Sequence, residues 1–239
     1  MTKKTIADAK MLMSELKKQA GYLAADQIEN GMAVGLGTGS TAYFAIERLA
    51  ERIKTVNLKV NAVSTSFSTT LLCHSWKIPL LDISTVQNLD LAIDGADEID
   101  EHRNVIKGRG AAHTLEKIVA GMADKFIIVA DESKKVKQLG ASMPVPVEVL
   151  PSALQSAIRK IQGLGAEKCV LRMAEKGKDG PIISDNGNFI IDAFFKNIQD
   201  SHWLELGLNH VPGVLDNGIF AGYATQVILA TELEGIKVF

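Results

Sequence analysis

Three short stretches concentrate residue types that do chemistry. The first is Gly35-Leu36-Gly37-Thr38-Gly39-Ser40-Thr41. Glycines let a backbone turn tightly and come close to an anion. The hydroxyls of Thr38, Ser40 and Thr41 add donors, and an apolar face starting at Ala42 puts a helix N-terminus directly behind them. Such a terminus offers free N–H groups and the positive end of a dipole. The stretch suits phosphate or another oxygen-rich ligand, and its plain alternative is a strand-to-helix turn with an N-cap serine. It is not the dinucleotide fingerprint. Gly35-x-Gly37-x-x-Ser40 has serine where the third glycine belongs, and the next apolar run ends in Val63-Ser64-Thr65 with no acid to hold a ribose hydroxyl. Nor is it a P-loop, since no lysine follows the last glycine.

The second stretch, Asp94-Gly95-Ala96-Asp97-Glu98-Ile99-Asp100, holds four acids in seven residues. A solvated acidic loop is the bland reading. Clustered carboxylates also bind hard cations, but the spacing lacks the calcium-loop pattern. Asp94 closes an apolar run, as the Gly-rich stretch does. The third stretch runs from Lys107-Gly108-Arg109-Gly110 through His113 to Glu116. A cation beside a glycine turn suits an oxyanion or a phosphate. Glu116 falls near the start of a helix, where an acid also assists the dipole without doing chemistry.

These residues need a frame. Leu16, Ala20, Leu23, Ala24 and Ile28 recur at helical spacing, with Gly31 as the expected C-cap. Met32 to Leu36 and Phe126 to Ala130 are continuous apolar runs, and Val60 to Val63 and Leu89 to Ile93 are apolar but for Asn61 and Asp90. Helical faces separate them: Ala42, Ala45, Ile46 and Leu49; a stretch around Leu71 and Leu72; and Leu115, Ile118, Val119 and Met122. Apolar strands alternating with helices predict a Rossmann-like parallel sheet with helices on both faces. In such sheets ligands bind outside the carboxyl ends of the strands, where the Gly-rich stretch and Asp94 fall. From about Gly140 the order becomes β-α-β-β-α-β, which predicts an inserted ferredoxin-like α+β domain. Its pieces are Val145 to Val149, a helix through Leu154, Ala157, Ile158 and Ile161, Cys169 to Met173, a turn over 185–188, Phe189 to Phe194, a helix from Asp200 to Leu208, and an extended Val214 to Phe220. Gln226 to Ala230 and Ile236 to Phe239 form a terminal hairpin expected to rejoin the first domain. The expected domains are therefore 1–139 with 214–239, and 140–213.

Composition limits the classes. The net charge of −2 leaves no electrostatic footprint for nucleic acid or an anionic membrane. No apolar run approaches the roughly 18 residues of a membrane span, and the N-terminus lacks the apolar core of a signal peptide. Cys73 and Cys169 give neither a disulfide framework nor metal spacing. They read as buried thiols of a cytoplasmic protein.

Taken together, Gly37-Thr38-Gly39-Ser40-Thr41, Asp94-Gly95-Ala96-Asp97-Glu98, Lys107-Gly108-Arg109-Gly110-Ala111-Ala112 and Asp131-Glu132-Ser133-Lys134 resemble the ribose-5-phosphate isomerases of type A. So do Pro144-Val145-Pro146-Val147-Glu148-Val149 and Ser184-Asp185-Asn186-Gly187-Asn188, and the likeness covers nearly the whole chain in order. The resemblance implies a substrate-binding loop at Thr38, Gly39, Ser40 and Thr41. It implies two more at Asp94, Gly95, Ala96 and Asp97 and at Lys107, Gly108, Arg109 and Gly110. Glu116 would be the proton-transferring base, with Lys134 and, by a looser match, Lys17 binding substrate. It further implies a sugar phosphate as the partner, no cofactor or metal, and a homodimer or homotetramer. Arg109 stands where many bacterial members have glycine, and His113 where leucine is common. Arg109 is expected to point outward and His113 to be structural.

Moving a proton between adjacent carbons needs a base, and no His/Asp/Glu group has the spacing for a metal-assisted hydride shift. Lys107 suits the charge that develops on oxygen. Asp94 suits ring opening, with Asp97 orienting a hydroxyl. Sugar-phosphate deaminases, lactonases and sugar-sensing regulators with a similar core are the alternatives. The regulator would need a DNA-binding element, and the first 31 residues hold one helix and no basic patch.

Overall fold

In chain order, helix α1 (Lys3–Ala25) leads to strand β1 (Ala33–Leu36), α2 (Ala42–Val56), β2 (Asn61–Ser64), α3 (Phe67–Ser75) and β3 (Leu89–Asp94). Two-residue strands β4 (Glu98–Ile99) and β5 (Val105–Ile106) precede α4 (His113–Met122) and β6 (Ala123–Asp131). There follow β7 (Val145–Val149), α5 (Leu154–Gly163), β8 (Lys168–Leu171), β9 (Phe189–Phe194) and α6 (Ser201–Asn209). The chain closes with β10 (Val214–Asn217), β11 (Ile219–Phe220), β12 (Gln226–Thr231) and β13 (Gly235–Val238). This computed structural model describes residues 3–175 and 177–239. It divides into two units: one runs to Ala96 and resumes over Val119–Lys134 and Ala224–Phe239, and the other comprises Asp97–Ile118 and Lys135–Tyr223. These bounds differ from those expected. Residues 97–118, 135–139 and 214–223 belong with the second unit, because β4, β5 and β11 pair with one another.

The first unit is built on a sheet of order β13-β12-β6-β3-β1-β2, parallel except for β13 at its edge. The central stretches of the strands are apolar because both faces are covered, as in Phe126 to Ala130 of β6 and Val227 to Ala230 of β12. Val34, Leu36, Leu91, Ile93, Ile127 and Val129 share a core with Ala20 and Ala24 of α1 and Ala45, Ile46 and Leu49 of α2. On the opposite face, a Cβ at Gly35 would lie 2.4 Å from Val119 of α4 and 2.8 Å from Ala92. The strand order turns back between β1 and β3, which opens a crevice at their carboxyl ends. The expected α/β fold is therefore observed, with local differences. Helix α1 stops at Ala25, so Gly31 is a turn residue just before β1 and not the C-cap. Leu23 is exposed, and α3 buries Thr69 and Cys73 and leaves Leu71 outside.

In the second unit, β10-β7-β9-β8 is an antiparallel sheet in the ferredoxin-like order. Val145, Val147, Val149, Ile191 and Ala193 pack with Ala157 and Ile161 of α5 and Leu204 and Leu208 of α6. The stretch expected to be extended from Val214 to Phe220 is two strands in two sheets. They part at Gly218, where a Cβ would meet the Lys107 carbonyl oxygen at 2.2 Å, and β11 joins β5 and β4 in a small sheet of its own.

Candidate active site

In the first unit, the carboxyl ends of β1 and β3 bring the Gly-rich loop to Asp94. The Asp94 side chain is buried, and its Oδ1 accepts the N–H of Thr38 at 3.0 Å and of Gly95 at 2.7 Å. A Cβ at Gly37 would lie 2.1 Å from the Asp94 carboxyl, so glycine is required there by the acid itself. Gly39, at φ +118°, makes the turn, and a Cβ there would meet nothing within 4 Å. The Thr38 hydroxyl is turned inward, contrary to the expectation that three hydroxyls face a ligand. It lies 2.8 Å from Ser66 Oγ, 3.2 Å from Thr69 Oγ1 and 3.3 Å from Thr65 Oγ1. Thr69 in turn donates to the Gly37 carbonyl at 2.9 Å, which ties α3 to the loop.

The N-cap alternative fails. Thr41 precedes α2 in helical conformation and makes no side-chain cap, and Ser40 is exposed. A cleft of about 420 Å³ opens on Gly37, Thr38, Gly39 and Ser40, with Tyr43 and Leu72 as its apolar walls. Lys17 of α1 reaches the same loop: its Nζ is 3.5 Å from Ser40 Oγ and 3.0 Å from Asp131 Oδ2. Asp131 ends β6 as Asp94 ends β3. Its burial raises its pKa, but hydrogen bonds from Ser133 and Lys17 outweigh this and hold it below the usual carboxylate range. Lys134, half-buried, follows in the turn after β6, at the same edge of the sheet. Sequence reasoning missed Asp131 as the partner of Lys17. Its position at a strand end was the available signal.

The second unit brings together the other candidates. Lys107 and Glu116 are both buried, with Lys107 Nζ 3.2 Å from Glu116 Oε2. Lys107 is seated by its N–H, which donates to the Gly218 carbonyl at 2.8 Å, and by the Phe220 ring 5.7 Å from its Nζ. Burial of Glu116 overturns the reading of an exposed helix acid. Helix α4 buries His113, Glu116 and Lys117 as well as Val119 and Ala120, whereas Ile118, taken as a core position, is 48% exposed. The loop before α4 is clamped. Arg172 donates to the carbonyls of Gly108 at 2.9 Å and Arg109 at 3.0 Å, and is itself forked onto Asp192.

Asp97 accepts the N–H of Arg109 at 3.0 Å, while Arg109 and Gly110 are exposed, as expected for an outward arginine. The other two acids of the second motif are structural. Glu98 accepts the N–H groups of Gly140, Ser142 and Met143 at 2.6, 2.6 and 2.8 Å, and Asp100 accepts those of His102 and Asn104 at 2.9 and 2.8 Å. They are neither a solvated loop nor a cation cage. His113 is fully buried against Gly108, and burial lowers its pKa to about 4 against the opposing pull of Glu148 and Asp216. Among the described residues, no group of three His, Cys, Asp or Glu side chains is gathered as a metal site needs. Cys73 is buried as expected, but Cys169 is partly exposed; both are free thiols. No helix among the described residues is long and apolar enough to cross a membrane.

Known proteins resemble this chain in sequence and fold. Residues 61–234 match the family model for ribose 5-phosphate isomerase A (phosphoriboisomerase A). The chain is 45% identical to the ribose-5-phosphate isomerase A of Thermosynechococcus vestitus, over 93% of this chain and 94% of that one. It is 47% identical to that of Methanothermobacter thermautotrophicus, over 93% and 96%. Among solved structures, the ribose 5-phosphate isomerase A of Methanocaldococcus jannaschii matches with a TM-score of 0.89 at 42% identity, covering 94% of this chain and 98% of that one. A D-ribose-5-phosphate isomerase in complex with phospho-erythronic acid matches with a TM-score of 0.90 at 46% identity, over 94% and 97%. A fold and a sequence identity that agree over more than nine-tenths of the chain, with the family model matched over residues 61–234, place this protein in the ribose 5-phosphate isomerase A family.

Proposed function

We propose that the chain carries out its isomerisation, D-ribose 5-phosphate to D-ribulose 5-phosphate and back, with Glu116 as the carbon base and Lys107 as the oxyanion stabiliser. The observation that carries this reading is the buried Lys107–Glu116 pair. Glu116 takes the C2 proton of the open aldose, and the electron pair moves onto the C1 oxygen to give an enediolate. The Lys107 ammonium stabilises the negative charge there, where little water competes. A proton then moves from the C2 oxygen to the C1 oxygen, and Glu116 returns its proton to C1, leaving the C2 ketone. Carbon and oxygen counts are unchanged, and no electron leaves the sugar.

Ring opening precedes this. Asp94, held by two backbone N–H groups, is assigned the proton transfer between ring oxygen and hydroxyl, and Asp97 orients a sugar hydroxyl. The phosphate is assigned to Ser40, Thr41 and the N–H groups of Gly39 to Thr41, helped by Lys17 and Lys134. Binding energy from the distant phosphate then holds the reacting carbons in place. The phospho-erythronic acid bound by the solved relative supports an enediolate route, because a sugar-acid carboxylate is planar and anionic, as an enediolate is.

Glu116→Gln tests the assignment. It is nearly isosteric but cannot accept a carbon proton near neutral pH. General-base losses run about 10²–10⁴-fold, and turnover should fall to the far end of that range. Exchange of the C2 proton into deuterated water, followed by NMR, should stop with it. A variant keeping more than about a tenth of kcat would move the base to another carboxylate. The proposal also includes a homodimer or homotetramer, supported by exposed Trp203 and Leu206 on α6 and tested by light scattering. A cytoplasmic location is supported by the two free thiols, which suit a reducing compartment.

A further inference from the structure

The second unit buries a carboxylate that the reaction does not use. Glu148 is the fourth of the five residues of β7, all of them buried, and is itself fully inaccessible. A hydrophobic residue there would pack at least as well, since buried charges rarely add stability over apolar side chains of similar size. Yet the carboxylate is fully served by donors. Ser184 Oγ lies 2.6 Å and Asn188 Nδ2 2.9 Å from Oε1, Asn186 Nδ2 lies 3.2 and 3.3 Å from the two oxygens, and Thr114 Oγ1 donates to Oε2. Burial alone would raise its pKa, but these hydrogen bonds hold it below its usual range. Three of the donors come from the 184–188 turn and fix the carboxylate. The fourth, Thr114, belongs to the first turn of α4, two residues before Glu116.

We propose that Glu148 is a positioning residue for the isomerisation, acting through Thr114 to set the roll of α4 and so the direction of the Glu116 carboxylate. At about 3.6 residues per turn, Thr114 and Glu116 lie about 200° apart around the helix, so the tether grips the side opposite the base. Lys117, next to Glu116, is tied as well: its Nζ is 2.8 Å from Asp216 Oδ1 and 2.8 Å from Glu205 Oε1. Side chains end about 5–6 Å from a helix axis, so a roll of about 10° moves the Glu116 carboxylate by about 1 Å. That distance at a reacting group costs up to about 10²-fold in rate.

The inference rests on Glu116 being the base, and its experiment separates the two. Thr114→Val keeps the shape and removes the donor; Thr114→Ser restores the donor; Glu148→Gln keeps the shape and weakens the acceptor. Thr114→Val should lower kcat by about 10–10²-fold with KM changed by less than about twofold, and Thr114→Ser should recover at least about half of the parent kcat. Glu148→Gln should show the same split between kcat and KM. If it does not fold, the Thr114 pair carries the test alone. A parent-like kcat in Thr114→Val beside an inactive Glu116→Gln overturns the positioning role and leaves the base in place. An active Glu116→Gln overturns both.

Discussion

Gly37→Ala probes how tightly the first loop and Asp94 depend on each other. The new Cβ would sit 2.1 Å from Asp94 Cγ and Oδ1 and 2.5 Å from its Cβ. Asp94 is not a flexible tip that can step aside. It is 1% exposed and accepts N–H groups at 3.0 and 2.7 Å. If the carboxylate leaves, it gives up two hydrogen bonds to a charged group, about 1.5–3 kcal/mol each, or about 3–6 kcal/mol together. If the end of β1 shifts instead, the overpacking costs about 1–3 kcal/mol. The chain takes the cheaper route, so Tm should fall by about 2–4 °C per kcal/mol, or roughly 2–12 °C in all. Both routes move Asp94 relative to the loop by about 1 Å, a displacement that costs up to about 10²-fold in kcat/KM. The assay is formation of ketose phosphate from D-ribose 5-phosphate, with a thermal melt of the same sample. Gly163→Ala is the control. It is the last residue of α5 with nothing within 4 Å of its Cβ, and should change stability by less than about 1 kcal/mol, the mid-helix value, with activity unchanged. A Gly37→Ala enzyme within about threefold of the parent kcat/KM would refute the coupling of loop and acid.

Lys107→Ala should lower kcat by about 10²–10³-fold in the same assay, and a rise in KM alone would make Lys107 a binding residue instead of an oxyanion stabiliser. Stability should fall as pH drops from about 6.5 to about 4, by at most about 3 kcal/mol from His113, because the unfolded chain takes up a proton there that the buried imidazole refuses. His113→Leu should flatten that slope in denaturant titrations at several pH values; an unchanged slope would assign it to other groups. Activity should survive exhaustive chelation, since Glu98 and Asp100 are spent on backbone N–H groups, and loss on chelation with recovery by a divalent ion would overturn the base-only route.

Much of the frame was legible because β1, β2, β3 and β6 are largely apolar and stop at a glycine, a serine or an acid. That punctuation places Gly37 and Asp94 at one sheet edge before any coordinate is known. The hidden parts share a physical reason: they depend on contacts between residues far apart in the chain. Strands β4 and β5 have two residues each, too few to show a period. Gly37 read as a turn glycine, whereas the structure gives its reason as the Asp94 side chain 57 residues on. The Thr38 hydroxyl read as a ligand donor because nothing in its own segment predicts Ser66 and Thr69 beside it.

Helix α4 is the instructive failure. Periodicity picks out its apolar residues and assigns them to the core, and it therefore places Ile118 inside and Glu116 outside. The structure does the reverse, with His113, Glu116 and Lys117 buried and each met by a specific polar or glycine surface. A helix that buries its charged face is costly unless every charge is answered. Here the answers come from Lys107, Glu205 and Asp216, and the neighbouring Thr114 is answered by Glu148. Local rules fail on this helix because its buried charges are stabilised by distant partners, and under the proposed mechanism those partners also set the direction of the Glu116 carboxylate.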